Sequence, residues 1–124
     1  MGSKGRPYRR VVIEGWEILI GRGDEENDAL TFEVAEPRDY WMHVAGGTPG
    51  SHVVVRVPED ASDVPKAVLT RAAELSAWHS KARNARRVDV HVCRVRDVSK
   101  RRGAPAGEVR LRQWTVLRVA PVAE

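Results

Sequence analysis

The groups able to do chemistry in this sequence are four histidines, one cysteine, a serine beside a histidine, and two arginine-rich runs. Metal binding is the first chemistry to weigh. No pair among His43, His52, His79 and His91 has the three-to-five-residue spacing of a zinc motif, and Cys93 stands alone. A metal site would need three of these histidines gathered by the fold. Gly21-Arg22-Gly23 lacks the third glycine of a dinucleotide site. Gly46-Gly47-Thr48-Pro49-Gly50-Ser51 lacks the Gly-Lys-Ser/Thr ending of a P-loop. The expectation is no metal and no cofactor.

Nucleophilic catalysis is the second possibility. Ser51 and His52 are adjacent, so in a strand they point to opposite faces and do not form a dyad with each other. Ser51 would have to meet His43 or Asp39 across a hairpin, giving the Ser, His and Asp of a hydrolase. No nucleophile elbow accompanies them. The same four residues equally suit ligand binding or bracing of the hairpin. Backbone N–H groups of the glycine-rich loop, with the Thr48 and Ser51 hydroxyls, can also hold a phosphate oxygen.

Polyanion binding is the third. The chain carries 21 basic and 17 acidic residues, net +4. Residues 14–39 hold nine carboxylates against Arg22 and Arg38, whereas residues 79–112 hold eleven Lys and Arg against three acids. That asymmetry points to a basic face and a polyanionic partner, or else to a solvated surface. Trp78 near Lys81 and Arg83 combines an aromatic plane with cations, which suits a stacked base and its phosphates. A helical Trp also buries readily against a sheet. Lys100, Arg101 and Arg102 form a basic loop able to reach a phosphate backbone.

These residues need elements to hold them. Residues 10–14 and 16–21 read as strands around Gly15, and 39–44 and 52–57 as an antiparallel pair. Pro49-Gly50 suits the centre of a type II turn, with Gly50 at positive φ. Residues 27–35 fit either a short helix capped by Asp28 or a strand. Val68, Ala72, Leu75, His79 and Ala82 recur on one helical face, which predicts a helix over about 64–83. Val88, Val90 and Val92 alternate with polar residues as a half-buried strand, and 109–119 reads as strand. The fold class is α+β: a single domain with a mostly antiparallel sheet packed on one principal helix.

Length and composition agree. At 124 residues, 42% apolar and 31% charged, the chain suits one folded domain and not a disordered one. No apolar run approaches the roughly 20 residues of a membrane span, and no signal-peptide core follows the basic start. One cysteine fits a reducing cytoplasm. The expected organisation is a basic tail over 1–10 and a domain over 11–121.

Several strings together resemble the NFACT-R domain family. They include Asn27-Asp28-x-Leu30-Thr31, Asp39-x-Trp41-x-His43, Pro49-Gly50-Ser51-His52-Val53, Ser80-Lys81-Ala82-Arg83 and Lys100-x-x-Gly103-Ala104-x-x-Gly107. Larger members of that family are ribosome-associated quality-control factors that engage tRNA, and this domain in them is an RNA-binding module. The resemblance implies a stand-alone, non-catalytic RNA-binding domain, with tRNA or ribosomal RNA as ligand and DNA as a rarer one. The ribosome or an RNA-modifying enzyme would be further partners. On this reading Arg22, Lys81, Arg83, Lys100, Arg101 and Arg102 contact phosphates, Trp78 stacks, and His43, Ser51 and His52 hydrogen-bond the ligand. The rivals are an RNA-processing enzyme built on Asp39, His43, Ser51 and His52, and a protein-docking module.

Overall fold

The computed structural model describes residues 8–124. Strands β1 (Tyr8–Ile13) and β2 (Trp16–Gly21) form a hairpin about Glu14 and Gly15, whose φ values of 50° and 85° suit a two-residue turn that follows the sheet's twist. The basic tail expected over 1–10 lies outside the described residues as far as Pro7, and Tyr8 to Arg10 belong to β1. Helix α1 (Asp24–Ala29) follows, with Asp24, Glu25 and Glu26 in its first turn, where the helix dipole favours acids. A π-helical segment, Leu30–Val34, extends it. Residues 27–34 are therefore helical and Ala35 is extended, but the helix starts after Gly23 and Asp28 is not its N-cap.

β3 (Tyr40–Val44) and β4 (Val53–Val55) pair antiparallel as expected, Met42 opposite Val53. The connection turns at Gly46 and Gly47, at φ 78° and 73°, and Gly50 does not have a positive φ. The type II turn at Pro49-Gly50 is thus absent. Gly50 is needed for close approach instead, as described below.

The principal helix, α2 (Lys66–Trp78), is shorter than 64–83 and ends before Lys81 and Arg83. β5 (Val88–Arg94) pairs with β3 and with β8 (Thr115–Val119). The stretch expected as one strand over 109–119 divides. β7 (Arg110–Leu111) pairs with β6 (Val98–Ser99) in a separate ribbon, and only β8 joins the main sheet. The main sheet runs β1-β2-β4-β3-β5-β8, all antiparallel.

Both faces of its centre are covered. Ile18, Ile20, Met42, Val53, Val55 and Val90 pack on Val68, Ala72 and Leu75 of α2. Leu19, Trp41, Val54 and Cys93 face Leu30, Val95 and Val98 on the other side. This explains the unbroken runs Ile18-Leu19-Ile20 and Val53-Val54-Val55, because a strand buried on both sides shows no alternation. Each such side chain contributes about 1.5–3 kcal/mol by burial.

Candidate nucleic-acid interface

The end of α2 positions the first part of the site. Ser80 Oγ donates to the Ala77 carbonyl at 2.7 Å and accepts from the Ala82 N–H at 3.0 Å, satisfying groups that helix continuation would have used. The chain then pairs with the loop before β4. The Ser51 N–H donates to the His79 carbonyl and the Lys81 N–H to the Pro49 carbonyl, both at 2.9 Å. Gly50 and Ser80 face each other in this bridge. The strings Pro49-Gly50-Ser51-His52 and Ser80-Lys81-Ala82-Arg83 are thereby stitched side by side.

Asn27 holds the other flank. It is 2% exposed, accepts from the His52 N–H at 3.0 Å, and donates to the Gly50 carbonyl at 3.4 Å. It also lies so close to Gly21 that a side chain at 21 would collide with its amide.

Between these supports lies an open groove of about 510 Å³. Arg22 enters from the end of β2, Ser51 from the loop before β4, and Lys81, Arg83 and Asn84 from the turns after α2. Arg22, Lys81 and Arg83 are exposed. The Arg83 guanidinium sits 5.3 Å from the centre of the half-buried Trp78 ring. A neighbouring depression continues past Ser51 to Arg9 and His79, which both pair with Glu124, at 2.9 and 2.8 Å. Arg9, His79 and Asn84 had no motif to mark them; only the fold brings them here. Among the described residues, Asp24 is the one carboxylate in the groove's lining.

The remaining sequence candidates lie elsewhere. His52 is 1% exposed; its Nδ1 shares a hydrogen bond with Thr31 Oγ1 at 2.9 Å and its Nε2 meets the Gly107 carbonyl at 3.2 Å. Burial, then the nearby His43, push its pKa down to about 4, so the ring is neutral. His43 is also held below its ordinary value, chiefly by burial. Asp39 is 1% exposed; its carboxylate pairs with Arg56 at 2.9 Å and accepts from the N–H groups of Val57 and Glu36, both at 2.8 Å. It stands at the opposite end of β3 from His43, four residues and about 13 Å away along a strand. The structure brings His43 and His52 together, ring centres 5.6 Å apart and nearly perpendicular, but the four do not assemble as a catalytic cluster: Asp39 and His52 are spent on the fold, and Ser51 opens on the groove.

None of Lys100, Arg101 and Arg102 lines the groove. The Lys100 ammonium donates to the carbonyls of Pro105 at 2.7 Å and Glu108 at 2.8 Å and pairs with Asp28 at 3.0 Å, using all three of its protons. Arg101 pairs with Glu108 at 3.2 Å, and Arg102 is exposed. The Gly107 N–H closes this loop onto Asp28 at 3.1 Å. Cys93 is buried, with its thiol pushed up to about 12, mainly by burial, so it is not a nucleophile at neutral pH.

A second cleft, about 800 Å³, lies across Pro49 and Gly50 from the groove, between β3, β5 and the 107–114 segment. Trp41 forms its floor, with His43, His91 and Trp114 around it.

The class that emerges is a small antiparallel α+β domain with a basic groove beside the end of its principal helix. The family profile of the NFACT protein RNA binding domain matches residues 8–113. The Rqc2 homolog RqcH of Streptococcus suis is 38% identical over 123 residues, covering 98% of this chain and 22% of the relative. RqcH of Bacillus subtilis is 33% identical over 129 residues, covering 99% and 22%. The C-terminal structure of the fibronectin/fibrinogen-binding protein from Streptococcus suis superposes with a TM-score of 0.84 at 37% identity, over 94% of this chain and 46% of that one. The chain thus spans about a fifth of the length of its curated relatives. It belongs to the NFACT RNA-binding domain family.

Proposed function

We propose that this domain binds structured RNA, tRNA or ribosomal RNA, without catalysing a reaction on it. The observation that carries the reading is the groove in which Arg22, Ser51, Lys81 and Arg83 converge from three distant parts of the chain. Guanidinium and ammonium groups there match phosphate oxygens, and the Ser51 hydroxyl supplies a further donor. His43 and His52 meet, with ring centres 5.6 Å apart, but Asp39 at the far end of β3 and Ser51 on the groove leave that pair without a carboxylate or nucleophile, which favours binding over turnover. On this reading, which rests on membership of the NFACT RNA-binding domain family, the setting is the cytoplasm and the ribosome, with DNA or an RNA-modifying enzyme as secondary partners.

Fluorescence anisotropy with labelled tRNA, single-stranded RNA and duplex DNA over a salt series tests this. Neutralising about three phosphates of single-stranded RNA, one each for Arg22, Lys81 and Arg83, gives a log–log salt slope of roughly −2.1. The expected result is salt-dependent binding, tightest for tRNA, with the tRNA unchanged after incubation. Absence of binding at low salt overturns the RNA reading, and altered RNA products overturn the non-catalytic one.

A further inference from the structure

We propose that the second cleft is a nucleobase pocket, which receives one unstacked base of a single-stranded RNA segment on the face of Trp114. The inference rests on the RNA reading above and adds to it the place where a base, as distinct from a phosphate, is held.

Three features support it. The first is the exposure of aromatic surface. Trp114 is 49% exposed, its ring centre 5.3 Å from that of His91 and inclined at 44°. The same cleft is lined by His43 and the buried Trp41, whose rings stack at 6.0 Å and 18°. An unpaired base is recognised by such π faces, which tolerate any base.

The second is charge. Asp24 and Glu108 stand in the lining, with Arg110 the only Lys or Arg among its described residues. That balance disfavours a phosphate and suits a neutral heterocycle with N–H groups to donate. The basic groove next door has the opposite character, so the two sites divide the nucleotide between them.

The third is continuity. The cleft and the groove share Asp24, Asn27, Pro49 and Gly50 as a common wall. A strand whose phosphates follow Lys81 and Arg83 needs only to cross this ridge to place a base beside Trp114.

The test compares the parent chain with Trp114→Ala and Trp114→Phe on a short single-stranded RNA and on an RNA duplex. Loss of one base stack weakens single-strand binding by about 5- to 150-fold in Trp114→Ala, with an unchanged salt slope. Duplex binding stays the same, and Trp114→Phe restores most of the affinity. A 2-aminopurine in the single strand is quenched by the parent chain and not by Trp114→Ala. Equal weakening on both RNAs overturns the pocket and makes Trp114 a structural residue. Unaltered single-strand affinity in Trp114→Ala, with Lys81→Ala/Arg83→Ala still weakened, overturns the pocket while the groove stands; the exposed Trp114 and Val116 then belong to a protein contact. No RNA binding by the parent chain overturns both.

Discussion

Gly50 lies so close to Ser80 that a Cβ at position 50 would stand 2.8 Å from the Ser80 Cβ and 3.3 Å from its Cα. This approach joins the loop before β4 to the turn after α2, and both walls of the basic groove depend on it. Gly50→Ala forces the two backbones apart. The expected cost is about 1–3 kcal/mol in urea unfolding, as for other overpacked sites. RNA affinity falls with it, because Ser51 and Lys81 no longer hold their separation. A Gly50→Ala chain with the parent's stability and affinity would show that the bridge is dispensable.

Lys81→Ala with Arg83→Ala removes two exposed cations. RNA binding weakens, and the salt slope on single-stranded RNA shrinks by about 1.4, or about 0.7 for each phosphate no longer neutralised. Stability changes by no more than the about 0.5–1 kcal/mol of an exposed cation–π pair, that of Arg83 with Trp78. An unchanged slope would remove both residues from the interface.

Lys100→Ala behaves differently. Its ammonium is spent within the fold on Pro105, Glu108 and Asp28, so the variant loosens residues 100–108. Faster amide exchange in that loop and a loss of about 1.5–3 kcal/mol are expected, typical of a charged hydrogen bond. The salt slope stays at the parent value. A reduced slope with no loss of stability would instead make Lys100 a phosphate ligand.

His52 makes stability depend on pH. Its pKa is about 4 in the folded chain against about 6.5 in the unfolded one. The unfolded state therefore binds more protons between these values, and stability falls as the pH drops through that window. The shift corresponds to about 3 kcal/mol, fully present above pH 6.5 and gone by pH 4, and His43 adds to it in the same direction. Asp63 and Asp97, held below the usual carboxylate range chiefly by the Val64 N–H and by Arg112 respectively, act only at lower pH. Urea unfolding from pH 7.5 to 4.5 measures the effect. His52→Gln removes most of the slope at the expense of overall stability; a slope that survives it would place the titration elsewhere.

What the sequence made legible was periodic or local. Alternating and continuous apolar runs gave the hairpins and the α+β class, and motif positions drew attention to Arg22, Ser51, Lys81 and Arg83, which share one groove. The end of α2 was not legible, because His79 and Ala82 extend the apolar period while a hydrogen-bond exchange at Ser80 stops the helix. Pro49-Gly50 reads as a turn by composition, yet the glycine answers a steric demand from a residue thirty positions away. The partners of Lys100 and His52 were hidden for the same reason. A lysine bound to Asp28 looks in sequence like any free cation, and a histidine beneath Gly107 looks like any surface one.

The backbone bridge between Ser51 and His79 and between Lys81 and Pro49 also bears on kinetics. Because the walls of the groove are already joined, capture of a ligand requires no folding step from the protein. Association is then governed by electrostatic steering and falls with ionic strength, whereas variants that remove short-range interactions act mainly by shortening residence time.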